Sequence, residues 1–318
     1  MTPLPRVRFA HVGGSGTWGF RYPDGALEGH PYLAVAVVEP RIQVATPFGP
    51  SPPFRLCRLT DRRTGAARDY LYVWMHGLDP GEPGDAPGAS VRASERVFDV
   101  LSRAGVRQVV VDNSTGGIAE DLAPWDLVAP EDVLDLSGSV PRPVAAGLIR
   151  FRDGLCPCLR ERLAAAAEAG LDRYRAVVGT EASPRLRRGG IYVHTPGPWF
   201  ETPAEDRLYR RLGFAVVGKT AGPEYRLARM YRMCLGILSI VVNPAEGLGE
   251  FEHTDLQAIY RRCGPAIARM VIETLAGLPA EDGDAGGGPA CRCADVSPLS
   301  LFREFGRHVR YEGDSTHV

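Results

Sequence analysis

Lysine is almost missing from this sequence. Lys219 is the only one in 318 residues, and every other basic side chain is an arginine. Arginine richness alongside abundant Ala, Gly and Pro fits codon bias, and the sole lysine is either an accident or a position where arginine does not serve. Excess charge is missing too: 37 basic against 38 acidic residues leave a net charge of −1. No global basic field argues for a nucleic acid or an anionic membrane as partner. No stretch approaches the roughly 18 uninterrupted apolar residues of a spanning helix. The longest apolar segment, Cys234 to Val242, is strand-sized. The N-terminal MTPLPRVRFAHVGG has no apolar run long enough for a signal peptide. A soluble, cytoplasmic chain is the expectation. Disorder, collagen and disulfide frameworks are excluded by 44% hydrophobic and 24% charged residues over this length.

Seven cysteines, an odd number, fit reduced thiols. Two Cys-x-Cys pairs stand out, Cys156/Cys158 and Cys291/Cys293. Four thiolates can bind zinc, but the usual spacing is Cys-x2-Cys and these pairs lie far apart. The reading adopted is ordinary thiols, or a redox-sensitive pair in the tail, and no metal site.

There is no internal repeat. Short apolar runs alternate with helical patterns. Val7–Val12 ends in Gly13-Gly14-Ser15-Gly16, a strand feeding a glycine turn. Strands are also expected at 32–38, 70–74, 106–111, 190–194, 215–217 and 235–242. Helices are expected at 93–104, 155–170, 203–212, 224–233 and 254–275. Gly105 and Gly213 stop two of them, and Thr254-Asp-Leu-Gln257 reads as a capping box. Residues 79–89 read as a Pro/Gly/Asp loop. The alternation implies an α/β fold with a largely covered sheet. Residues 280–290 read as a flexible linker and 291–318 as a C-terminal tail, with an amphipathic turn at 299–305.

Polar loops follow the buried strands, where α/β folds bind ligands. The glycine turn at 13–16 offers a nest of amides suited to an anion, or is simply a tight turn. Asn113-Ser114-Thr115-Gly116-Gly117 is a ligand loop or a polar turn. Thr202, Pro203 and Glu205 make a capping box for the next helix, which leaves Phe200 and Glu201 unexplained. An aromatic beside a carboxylate can stack a heteroaromatic base and accept its N–H groups. Lys219-Thr220 precedes a helix N-terminus, a place for an anion. Asn243 is a turn former or a reader of a donor–acceptor pair.

These loops, in this order, resemble the purine nucleoside phosphorylase family, and its trimeric 5'-methylthioadenosine phosphorylase branch most closely. GGIYVHTPGPWFETPAEDRLYRRLGFAVVGKTAGPEYRLARMYRMCLGILSIVVNPAEG carries the resemblance, supported by GGSG, TPFG at 46–49 and GGIAEDLAPWD at 116–126. It covers roughly residues 6–278, most densely 189–249. It implies a single-domain nucleoside phosphorylase fold, here residues 1–279, with a twisted mixed central sheet flanked by helices and closing on itself. It implies a homotrimer and phosphorolysis of a purine nucleoside to the free base and ribose 1-phosphate. Phosphate is then a co-substrate and no cofactor is needed.

The resemblance assigns roles residue by residue. Ser15, Ser114 and Thr220 match phosphate contacts, with Asn113 beside them, and His76 matches the histidine of a phosphate loop. Phe200 packs on the base, and Glu201 and Asn243 read its edge. The adenine-specific branch carries Asp where this chain has Asn243 and Ala245, which tilts the reading towards a 6-oxopurine. His253 falls near the sugar 5' group or is a polar loop residue, and His194, beside the base loop, is a packed histidine or a ligand contact. Two departures stand out. The phosphate-loop arginine is Met75, followed by Leu78-Asp79-Pro80, and the ribose-contacting methionine is Lys219. Lys219 then supplies the cation that Met75 lacks, contacts an altered sugar, or is a solvated residue that drifted. A nucleosidase, an enzyme of a modified nucleoside or nucleotide, and a non-catalytic nucleoside-binding subunit stay open.

Overall fold

The computed structural model describes residues 4–17, 20–74, 88–138, 140–142, 148–179, 182–197, 199–251, 253–279, 291–294 and 296–297. Met75, His76, the 79–87 part of the expected loop, the 280–290 linker and the 299–305 turn lie outside them. The chain begins β1 (Phe9–Gly13), β2 (Leu33–Ile42), β3 (Ala45–Thr46), β4 (Gly49–Pro50), β5 (Phe54–Asp61), β6 (Ala67–Trp74) and α1 (Ala89–Ala104). It continues β7 (Gln108–Gly117), β8 (Leu127–Ala129), β9 (Asp132–Asp135), β10 (Leu148–Ile149), α2 (Pro157–Val178), β11 (Leu186–Arg188) and β12 (Ile191–His194). Then come α3 (Pro203–Arg211), β13 (Val216–Gly218), α4 (Ala221–Met230), β14 (Cys234–Pro244), α5 (His253–Ala276) and β15 (Val296–Ser297).

One mixed eleven-stranded sheet organises the molecule, in the order β11-β8-β14-β7-β1-β6-β5-β2. β13 branches from β7, β12 from β13, and β9 from β12. The centre is parallel: β1 runs with β6 and β7, and β14 runs with β7. Its strands are almost wholly buried because both faces are covered, which is why they read as unbroken Val, Ile and Leu runs. β2, β5 and β6 form an antiparallel meander whose outer face meets water. α1 and α4 pack over one face, α2 and α5 over the other. Among the described residues no helix is long and apolar enough to cross a membrane.

Local chemistry sets the helix ends. Thr202 caps α3: its hydroxyl accepts from the Glu205 amide while Glu205 reaches back to the Thr202 amide, with Pro203 at N1, as expected. Gly105 closes α1 at φ 85°, a left-handed conformation that glycine adopts without a Cβ penalty. The side chains of the capping box expected at 254–257 are not all described.

Two expectations need correction. The polar segment 113–117 is not a turn after a strand; it is the end of β7. Pairing with β14 as far as Pro244, and with β13 at Gly116 and Gly117, uses its backbone groups and holds it extended. The cysteine pairing also differs. Cys156, not the Cys156/Cys158 pair, faces Cys291 and Cys293, and the fourth thiol is Cys234. Cys156 precedes α2 and Cys158 lies on its first turn. Residues two apart on a helix point to different faces, so the sequence pair splits.

Candidate active site

The central strands deliver their C-terminal ends to one region, and the expected polar residues gather there. Gly116 of β7 is paired with both Val217 of β13 and Asn243 of β14, so three loops meet at one point of the sheet. A register shift between Val241 and Asn243 bends β14 at that point.

The first cluster is built of hydroxyls. Gly13 ends β1, and a single 3-10 turn, Ser15–Thr17, follows. Ser15 Oγ lies 2.6 Å from Ser114 Oγ and accepts from the Ser114 amide at 3.1 Å. Tyr260 of α5 brings its hydroxyl within 3.1 Å of Ser114 Oγ. The structure thus unites Ser15 and Ser114. Gly16 is required sterically, because a Cβ there would lie 2.7 Å from Asp112 Oδ1. Asn113 is fully buried beneath this cluster, and its Oδ1 accepts from Ser239 Oγ at 2.5 Å.

The second cluster centres on Glu201, which is buried on the loop after β12. Lys219 Nζ, just past β13, donates to Glu201 Oε1 at 2.7 Å and to Thr195 Oγ1 at 3.2 Å. Thr195 Oγ1 donates to the same Oε1. Both bonds fall on Oε1, which leaves Oε2 as the acceptor for another N–H. The Lys219 ammonium also stands 5.5 Å from the centre of the Phe200 ring, within cation–π range. Phe200 is exposed. Asn243 is buried and its Nδ2 donates to the Pro244 carbonyl at 2.6 Å. Thr220 is buried at the start of α4. The sole lysine is partly buried and is the ion-pair partner of Glu201. His253 opens α5, and its side chain is outside the described set.

Several residues of this region went unread in the sequence. Asp206, on the first turn of α3, is fully buried. Burial, with the charges of Glu201 and Glu246 beside it, pushes its carboxyl up to about 7, and the Glu246 amide offsets this only in part. Glu224, on α4, is buried with neither carboxylate oxygen hydrogen-bonded, and burial pushes it up to about 8. His11 and Asp112, side by side on β1 and β7, form a fully buried pair at 2.8 Å, with Thr17 Oγ1 donating to the same carboxylate at 3.0 Å. The available signals were a lone histidine and a lone aspartate inside apolar strand runs.

His194 ends β12 and is buried. Burial depresses its imidazole to about 4, against the opposing pull of Asp135. Its folded pKa lies below the unfolded value, so the native state binds its proton less tightly. Stability from this group is present above pH 6.5 and is lost as pH falls from 6.5 towards 4. The expected result is a neutral imidazole at pH 5.5, read from its ring nitrogen shifts by NMR. An imidazolium at that pH would contradict the assignment.

Comparison with known proteins places these observations. Residues 29–276 match the model of the phosphorylase superfamily. A probable S-methyl-5'-thioinosine phosphorylase of Methanothermobacter thermautotrophicus is 32% identical over 212 residues, 66% of either chain. The 6-oxopurine nucleoside phosphorylase of Pyrococcus furiosus is 30% identical, over 62% of this chain and 72% of its own. The S-methyl-5'-thioadenosine phosphorylase of Mycolicibacterium smegmatis is 28% identical over 85% of this chain and 91% of its own. The crystal structure of a methylthioadenosine phosphorylase from an antarctic soil metagenomic library superposes with a TM-score of 0.67 at 19% identity, covering 92% of this chain and 91% of the other. That likeness establishes the fold. The mixed sheet, the loops that meet at its strand ends and the match across residues 29–276 together make this chain an enzyme of the phosphorylase superfamily, in the group of purine nucleoside and methylthioadenosine phosphorylases.

Proposed function

We propose that the chain cleaves the N-glycosidic bond of a purine nucleoside by phosphorolysis and favours a 6-oxopurine base. One observation carries the reading: a buried Glu201, fixed through Oε1 and available through Oε2, with Phe200 beside it and an asparagine at position 243. A 6-oxopurine presents an N1–H donor to a carboxylate, and an amide can both donate to N7 and accept. Two relatives whose names specify 6-oxopurine or thioinosine substrates support that choice of base.

In the reaction a phosphate oxygen attacks C1', the C1'–N9 bond breaks, and its electron pair passes to the purine. Negative charge then spreads over the departing base. A donor at N7 stabilises that charge as it develops, which is the differential binding that lowers a barrier, while the fixed acceptor at N1–H selects and orients the base. The Ser15, Ser114 and Thr220 hydroxyls are the groups proposed to hold the nucleophile.

The test is base release from inosine, guanosine, adenosine and their 5'-methylthio forms, with and without phosphate. Phosphate-dependent release that favours the oxopurines is expected. A second reading is favoured by Met75, because a phosphate loop without its arginine loses charge-assisted bonds worth on the order of 1.5–3 kcal/mol each. In that reading water is the nucleophile, and release proceeds equally without phosphate. Ser15→Ala separates the two. It removes one neutral hydrogen bond and the Ser114 amide's partner, about 1 kcal/mol. Phosphorolysis predicts a rise of about fivefold in KM for phosphate with little change in KM for the nucleoside.

A further inference from the structure

At the far end of β14 from Asn243, three separate parts of the chain bring four thiols to one point. Cys156 stands immediately before the 22-residue helix α2, and Cys234 is the first residue of β14. Cys291 and Cys293 come from the segment beyond residue 290. Their four sulfurs all lie within 4.8 Å of one another, and Cys234 Sγ and Cys291 Sγ are 3.4 Å apart. A tetrahedral zinc with bonds of about 2.3 Å sets its sulfurs about 3.8 Å apart, so the cluster has the size of such a shell. A disulfide instead needs two sulfurs at about 2.05 Å and would leave the others without a role.

We infer that Cys156, Cys234, Cys291 and Cys293 form a closed structural zinc site that staples the segment after residue 290 to the phosphorylase body. Cys156 is the N-cap residue of α2. The backbone holds the ligands in place. The Cys156 amide donates to Leu235 O at 3.0 Å, and the Cys234 amide to Arg107 O at 2.8 Å. Between the paired cysteines, Arg292 forms a two-bonded ion pair with Asp153, and β15 then pairs antiparallel with β10. Loading releases up to four S–H protons and fills every coordination position with sulfur. No position remains for water, so the ion supports the fold and takes no part in the chemistry. Nine residue steps of strand, about 30 Å at 3.3 Å per step, separate Cys234 from Asn243.

The experiment reads metal, not activity, so it stands or falls apart from the phosphorylase assignment. Full-length protein is purified under reductant and its zinc measured by plasma mass spectrometry. Cobalt is then substituted and its spectrum recorded. One zinc per chain is expected, together with the thiolate-to-cobalt charge-transfer band and strong d–d bands of a tetrahedral all-sulfur site. The wild-type spectrum does not depend on any variant folding. Cys291→Ser/Cys293→Ser should lose the metal, whereas Cys158→Ser should keep it. A wild type that takes up no zinc under reductant overturns the proposal. So does a count of five titratable thiols rather than seven in the denatured chain, which marks a disulfide, and so does metal retained by the double variant.

Discussion

Replacing Glu201 by glutamine is expected to lower kcat/KM for inosine at least 100-fold, about 2.7 kcal/mol of transition-state stabilisation. On the proposed function, the carboxylate is the strongest acceptor facing the base, and a charged hydrogen bond in a buried site is the largest single contribution available there. Glutamine keeps the shape and one acceptor but loses the charge, and its amide meets the Lys219 ammonium donor to donor. Lys219→Met gives the companion result. Lys219 acts through Glu201, so it is a positioning residue: its loss should lower kcat about tenfold and leave KM for phosphate unchanged. The double variant should be no worse than Glu201→Gln alone, because both changes remove one coupled unit. A selective rise in KM for phosphate in Lys219→Met would instead place the ammonium on the nucleophile, the relocation of charge suggested by Met75.

The second large effect concerns pH and stability. Glu224 is held up to about 8 by burial and Asp206 up to about 7. Both folded values lie above the unfolded ones, so the native state binds these protons more tightly than the unfolded chain does. Stability from each is fully present below its unfolded value and is lost as pH rises through its folded value. Glu224 alone should remove about 2 kcal/mol between pH 6.5 and 8.0, which lowers Tm by about 4 °C for a chain of this size. Asp206 acts in the same direction. Thermal melts at the two pH values should show that fall, and Glu224→Gln should reduce it by more than half. An unchanged Tm in the wild type would mean that Glu224 is charged in the native state. His194 has the opposite sign and acts below pH 6.5, outside this interval.

The parallel centre of the sheet was legible because its strands are covered on both faces and so read as unbroken apolar runs. β5 was not, since its arginines interrupt the run and its outer positions face solvent. β8 and β11 have three residues each, too short for any period to register. Phe200 and Glu201 drew attention in the sequence through a capping box: once Thr202 and Glu205 had a structural duty, these two were left without one. The Lys219–Glu201 bond was not legible, because it joins two loops 18 positions apart whose meeting depends on β12 pairing with β13. Asp206 and Glu224 are first-turn acids of α3 and α4, positions where a carboxylate commonly faces water. Only the packing around them shows that neither meets water.

β14 runs from the thiol cluster to Asn243 with all but its end residues buried, and it pairs with β7 on one side and β8 on the other. Its amides have no local route to solvent. Deuterium should enter Leu235–Val242 only when the whole domain opens, so this strand is the slowest-exchanging segment and its rate reports the global unfolding free energy. A metal bound at one end and a nucleoside bound at the other would then slow the same amides, each in proportion to its own occupancy.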